Sequence, residues 1–138
     1  MKKVLILCTG NSCRSQMAEG LLKYFSPNTK VYSAGTKPEV VNPFAVEVMA
    51  NIGINISDFK SNHVDEYTDV DFDFVFTVCD NAKEICPIYP KAKQLIHYSF
   101  TDPADAIGTK NEQLLVYCQV RDQIKDYMEN FAKNNLNK

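Results

Sequence analysis

A chain of 138 residues, 45% hydrophobic and 23% charged, has the size and composition of one globular domain, 1–138, built on a single core. Its net charge of −2 and lack of a basic stripe exclude a general nucleic-acid surface. Its apolar runs fall short of the roughly 18 residues of a membrane span, and the one after Met1-Lys2-Lys3 is too short for a secretory leader, so a cytoplasmic protein with no membrane partner is expected.

Lys3 to Leu7 is a short, continuously apolar run, the pattern of a strand buried on both faces. After a polar loop, Met17, Leu21, Leu22 and Phe25 recur at helical spacing from Gln16, and Pro27 ends that helix. Lys30 to Ala34 predicts a second strand meeting Gly35. Asn42-Pro43 supplies an N-cap and a proline at the first helical position, and Gly53 fits the far end of that second helix. Phe72 to Val78 is a third buried strand ending at Cys79. Asp80 to Ile85 is helix-permissive and cut by Pro87, and Gln94 to Tyr98 is a weaker fourth strand. From Glu112 to Ala132, Leu114, Leu115, Cys118, Val120, Ile124, Met128 and Phe131 repeat near a 3.6-residue period, which predicts a long amphipathic helix. Strands alternating with helices imply an α/β fold, a four-stranded parallel sheet joined by right-handed crossovers and flanked by helices. With no exposed apolar stripe, a monomer is expected.

The chemistry concentrates where the first strand meets the first helix. Cys8-Thr9-Gly10-Asn11-Ser12-Cys13-Arg14-Ser15 separates a cysteine from an arginine by five small or polar residues. A loop of this kind points unpaired backbone amides inward, the helix adds partial positive charge, and Arg14 can fork two hydrogen bonds onto a tetrahedral oxyanion. Cys8 would lie beneath that anion as a thiolate. A thiol near pKa 8.5 is only about 3% ionised at pH 7, whereas one lowered to about 6 is roughly 90% ionised. Ser15 is placed to donate to the thiolate or simply to open the helix, and Asn11 to shape the loop by local bonds. A bare C-x5-R match is weak, but here it follows a strand, opens a helix and carries glycine and asparagine where unusual backbone angles arise.

Open parallel sheets bind ligands beyond the carboxyl ends of their strands at the switch point. If the first and third strands are neighbours, about 4.8 Å apart, Cys79 could approach Cys8. Cys79-x6-Cys86 does not have zinc spacing, and His63 and His97 show no grouping with it, so no metal is expected. On a helix, positions 79 and 86 would be about 10 Å apart along the axis, too far for the about 4.4–6.8 Å of a disulfide, so bridging them requires the segment to unwind. Cys13 and Cys118 are read as packing residues. Asp102-Pro103 alone is turn chemistry, but beside a nucleophile Asp102 is read as a general acid.

Cys8 through Gly20, Tyr32-Ser33-Ala34-Gly35, Val78-Cys79, Cys86-Pro87 and Phe100-Thr101-Asp102-Pro103-Ala104 resemble the thioredoxin-coupled arsenate reductases built on the low-molecular-weight tyrosine phosphatase fold. The resemblance spans nearly the whole chain and implies a three-layer α/β/α sandwich. It further implies that arsenate is held by residues 9–15 (Thr9, Gly10, Asn11, Ser12, Cys13, Arg14 and Ser15) and attacked by Cys8, while Asp102 protonates the departing oxygen. Cys79 then attacks Cys8 and arsenite leaves, Cys86 attacks Cys79, and thioredoxin reduces the resulting disulfide, with no cofactor. Some members bind potassium through residues resembling Asn11, Glu19 and Ser33 together with an acidic residue. Here Lys60-Ser61-Asn62 stands at the matching stretch, and the Lys60 ammonium is expected in the cation's place beside Glu19.

Two other functions fit parts of this pattern. A phosphatase of the same fold would use Cys8, Arg14 and Asp102 but has no need of Cys79 and Cys86, and Ala104 stands where such enzymes resemble one another in carrying an aromatic. A non-catalytic thiol sensor or arsenite-binding module would use Cys8, Cys79 and Cys86 as soft ligands without requiring Arg14 or Asp102.

Overall fold

Val4, Leu5, Ile6 and Leu7 are all fully buried, and the pleat of a strand sends them alternately to opposite faces. Val4 and Ile6 enter the larger apolar cluster, while Leu5 and Leu7 enter a smaller one behind it. That two-sided burial is the cause of the unbroken apolar run, and it places this strand in the middle of the sheet. The computed structural model describes residues 1–79 and 92–137. Within them β1 (Lys3–Cys8), β2 (Lys30–Gly35), β3 (Phe72–Thr77) and β4 (Ala92–His97) form one parallel sheet in the order β2-β1-β3-β4.

Three helices, α1 (Arg14–Phe25), α2 (Pro43–Ala50) and α3 (Lys110–Phe131), contribute to the larger cluster. The long helix is keyed to the sheet by Phe131, whose ring meets Phe76 and Phe74 edge-on with centroids 4.5 and 4.9 Å away, contacts worth about 0.5–1.5 kcal/mol each beyond the area they bury. On the opposite face Leu5, Leu7, Ala34, Phe72 and Val75 are covered in part by the 3₁₀ turn Val64–Tyr67, where Tyr32, Tyr67 and Phe72 stack at 5.4 to 6.2 Å.

The α/β class and the four-stranded parallel sheet are as expected, and differences lie at element ends. The first helix begins at Arg14 rather than Gln16, because the loop closes directly into helical hydrogen bonding at Met17 N to Cys13 O, 2.9 Å. The last begins at Lys110, where Thr109 and Glu112 form a reciprocal capping box. The fourth strand occupies Ala92–His97 rather than Gln94–Tyr98, since pairing with Phe72–Thr77 fixes its register. Asn42 caps the second helix as read, accepting from Phe44 N and Ala45 N. The Asp80–Ile85 segment, together with Cys86, lies outside the described residues.

β1 and β3 are neighbours, yet the chain leaving β1 leads to β2 on one side and the chain leaving β3 leads to β4 on the other. Their carboxyl ends therefore open a crevice between diverging connections, and Cys8 and Cys79 stand at those two ends.

Candidate active site

Between β1 and α1 the carbonyls of residues 9 to 13 are all engaged from outside the loop. Thr9 O accepts from Lys37 N, Gly10 O from Glu39 N and Ser12 O from Asn42 N, at 2.8 to 3.0 Å. Asn11 O accepts from Gln16 Nε2 and Ser61 Oγ, and Cys13 O from Met17 N. In a trans peptide the following N–H points opposite to the carbonyl, so tying the carbonyls outward turns the amides inward. Asn11 makes this shape possible. It adopts φ +48°, a left-handed conformation that asparagine tolerates better than most residues. Its fully buried side chain donates to Ser15 Oγ at 2.8 Å and Ser33 Oγ at 2.9 Å and accepts from Asn62 N at 2.8 Å. Asn11 thus builds the loop from behind. Ser15 Oγ, having accepted an amide proton, keeps its own hydroxyl proton to donate.

The inward amides face a cavity of about 270 Å³ lined by Cys8, Thr9, Gly10, Ser12, Cys13 and Arg14. Lys37, Glu39 and Asn42 form a second wall, and Asp102 and Ala104 close the other side. Cys8 is 3% exposed. Arg14 is buried and held by Phe100 O (3.3 Å from Nη1) and Asp102 Oδ2 (3.5 Å from Nη2). Asp102 is also the N-cap of the short 3₁₀ turn Pro103–Asp105, its Oδ1 accepting from Ala104 N at 3.0 Å, so the turn residue and the cavity residue are one and the same. Cys13, read as packing, lies against Asp102 with Sγ 3.4 Å from Oδ1. Burial first, and the Asp102 carboxylate second, push its thiol far above the usual range.

Cys79 is fully buried and belongs to the same apolar cluster as Cys8. The β1–β3 ladder runs from Val4↔Phe74 to Leu7↔Thr77 and continues through Val78 N to Leu7 O at 3.0 Å. Extended one step further, at about 4.8 Å between strands and about 3.3 Å per residue, it puts the Cα atoms of Cys8 and Cys79 about 6 Å apart, inside the disulfide range. Cys79 is disulfide-bonded, whereas Cys8, Cys13 and Cys118 form no disulfide.

Comparison with known proteins bears on this arrangement. A family model described as low molecular weight phosphotyrosine protein phosphatase matches residues 3–138. The chain belongs to the low-molecular-weight phosphotyrosine protein phosphatase family. Among relatives, an arsenate reductase of Halalkalibacterium halodurans is 45% identical over 133 residues, covering 96% of each chain. One of Bacillus subtilis is 43% identical with the same coverage. A solved structure described as an arsenate reductase in the phosphate binding state superposes with a TM-score of 0.83 at 32% identity, covering 97% of this chain and 98% of that one.

Within this family the potassium-site expectation needs correction. The cation beside Glu19 is Lys23, one helical turn on, with Nζ 2.7 Å from Oε2. Lys60 meets the site through its carbonyl, which accepts from Gln16 Nε2 and Asn62 Nδ2. The i,i+4 spacing on α1 delivers Lys23 directly, with its ammonium also over the Phe59 ring at 4.7 Å. Glu19 Oε1 accepts from Ser33 Oγ at 2.5 Å, so a hydrogen-bond chain links Lys23, Glu19, Ser33 and Asn11. With an ammonium already on Glu19, these residues do not fit a potassium ion. Cys118 is half-buried on α3 and accepts from Arg121 Nη1 at 3.7 Å, consistent with a packing role.

Sequence reasoning missed the outer straps of this family's loop. Lys37 and Glu39, two residues apart, both donate their amides to the loop and line the cavity. Gly35 ends the second strand and has a steric role besides, since a Cβ there would lie 2.4 Å from Thr9 O.

Proposed function

We propose that this protein reduces arsenate to arsenite by passing two electrons through Cys8, Cys79 and Cys86. The reading draws on the named relatives for the substrate. It draws on the adjacency of Cys8 and Cys79 at the carboxyl ends of paired strands for the chemistry. That adjacency carries the conclusion, because hydrolysis of a phosphate ester gives Cys79 nothing to do.

The loop amides and Arg14 bind the tetrahedral anion, and the Cys8 thiolate attacks arsenic from below. An As–O bond breaks as Asp102 gives its proton to the departing oxygen, leaving arsenic(V) on Cys8. The Cys79 thiolate attacks the Cys8 sulfur, a Cys8–Cys79 disulfide forms, and the S–As electron pair stays on arsenic, which leaves as arsenite(III). Cys86 then attacks Cys79 and frees the Cys8 thiolate. The dithiol of thioredoxin reduces the Cys79–Cys86 disulfide, so two thiols are oxidised for each arsenic reduced. No described helix is long and apolar enough to cross a membrane, and we place the enzyme in the cytoplasm as a monomer.

The test is arsenate-dependent consumption of reductant in the presence of thioredoxin and its reductase. The wild type should turn over repeatedly, and Cys86→Ser should stop after one equivalent of arsenite. Unchanged multiple turnover in Cys86→Ser, or ester hydrolysis without arsenate reduction, would refute the proposal.

A further inference from the structure

Two cysteines share the anion loop, and the cascade uses only one. Cys13 is 6% exposed, forms the N-cap residue of α1 without capping it by its side chain, and directs its sulfur at Asp102 Oδ1, 3.4 Å away. Its neutral state is enforced by burial and by the neighbouring carboxylate, so it stands there as an S–H donor and not as a competing nucleophile. Oδ1 also accepts the Ala104 amide at 3.0 Å. An oxygen already receiving two protons in hydrogen bonds is the wrong place for a third. The other carboxylate oxygen, Oδ2, accepts among the described residues from Arg14 Nη2 alone, at 3.5 Å, and Asp102 lines the cavity.

We propose that Cys13 is a positioning residue for Asp102, its S–H filling Oδ1 together with the Ala104 amide so that the transferable proton is carried on Oδ2, facing the bound oxyanion. The inference rests on the reading of Asp102 as the general acid. A thiol suits the task, because it donates without adding a second positive charge to that of the Arg14 guanidinium already beside the carboxyl. Tyr117, whose phenol accepts from Asn42 Nδ2 at 3.0 Å and whose pKa burial pushes up to about 12, adds no charge of its own beside the thiol.

The test is a double-mutant cycle on single-turnover arsenite release. Cys13→Ala should lower the maximal rate about tenfold, a part of the about 10²–10⁴ that a general acid contributes, with half-saturation by arsenate unchanged within about twofold. Cys13→Ser, which keeps an O–H donor, should recover most of that loss. In an Asp102→Asn background Cys13→Ala should cost nothing further, because the two act as one unit. Equal losses from Cys13→Ala in both backgrounds, or no recovery by serine, would overturn the inference. An Asp102→Asn variant as fast as the wild type would instead remove the general-acid reading beneath it. A readout independent of folding in the alanine variant is the infrared S–H stretch of Cys13, assigned by its loss in Cys13→Ser. Asp102→Asn should move that band to higher wavenumber as the bond to a charged acceptor is lost, and an unmoved band would contradict the contact.

Discussion

Replacing Gly35 by alanine should disable the loop while leaving the sheet standing. Gly35 pairs with Cys8 at the end of β2, and its own N–H is taken by Asn62 O at 2.9 Å, so its backbone is pinned on both sides. An added Cβ would lie 2.4 Å from Thr9 O, 2.8 Å from Cys8 O and 3.0 Å from Asn11 N, all backbone atoms of the anion loop. The first distance is about 1.0 Å short of the 3.4 Å at which ordinary contact begins. No side chain can swing away to relieve it, so the loop must retreat by about that amount. Overpacking of this kind costs about 1–3 kcal/mol, and a displacement near 1 Å of groups that align reactants costs about 10²-fold in rate. We expect Gly35→Ala to fold, to melt several degrees lower, and to lose about two orders of magnitude in kcat/KM for arsenate. The control is Gly53→Ala, at φ +82° with open space around it. It should lose about 1 kcal/mol from backbone strain and keep full activity. Calorimetry and thioredoxin-coupled turnover on both variants decide the matter. A Gly35→Ala enzyme with activity within threefold of the wild type, taking about threefold as the scatter of such rate comparisons, would refute the claim that β2 sets the loop's position.

Other consequences follow from the same contacts. Asn11→Ala removes three side-chain bonds and puts alanine at φ +48°. It should reduce single-turnover rate by at least about tenfold, because the loop loses both its conformer and its supports. Wild-type turnover should be equal in potassium and sodium chloride at one ionic strength, and Lys23→Met should fall several-fold and become sensitive to which salt is used, as Glu19 loses the ammonium paired with it. Asp73 accepts from Lys3 N at 2.9 Å and pairs with Lys93 Nζ at 3.2 Å. The Lys3 bond, ahead of the lysine, holds its carboxyl below the ordinary 3.8. Its stabilising contribution is therefore full above the unfolded value and is lost as pH falls through the lower folded one. Asp73→Ala should cost about 1 kcal/mol at neutral pH, and urea unfolding should show that difference shrinking below about pH 4.

The sheet, the helices and the loop were legible because their signals are local and periodic. Val4 to Leu7 could only be a strand buried on both faces, and Asn42-Pro43 could only open a helix. The approach of Cys8 to Cys79 was legible only on the condition that the first and third strands are neighbours, because strand order is a global property that short apolar runs do not determine, and the order β2-β1-β3-β4 meets that condition. What was not legible depends on distant chain segments folding over the loop. The two-residue spacing of Lys37 and Glu39 does not name the Thr9 and Gly10 carbonyls as their acceptors, and nothing local marks Asn42 N for Ser12 O or Ser61 Oγ for Asn11 O. The cation beside Glu19 was sought at Lys60 by position in a motif, and it was supplied by Lys23 through helix geometry that the sequence itself contained. Cys13 was read as packing because a buried cysteine ordinarily is, and only its approach to Asp102 from another element gives it a partner.

The most direct test of the account is to trap the first handover. Reduced Cys86→Ser protein, mixed with one equivalent of arsenate and quenched at low pH, should release one equivalent of arsenite and yield a digest in which Cys8 is joined to Cys79. Arsenite released with Cys8 still a thiol, or joined to Cys13 in place of Cys79, would contradict it.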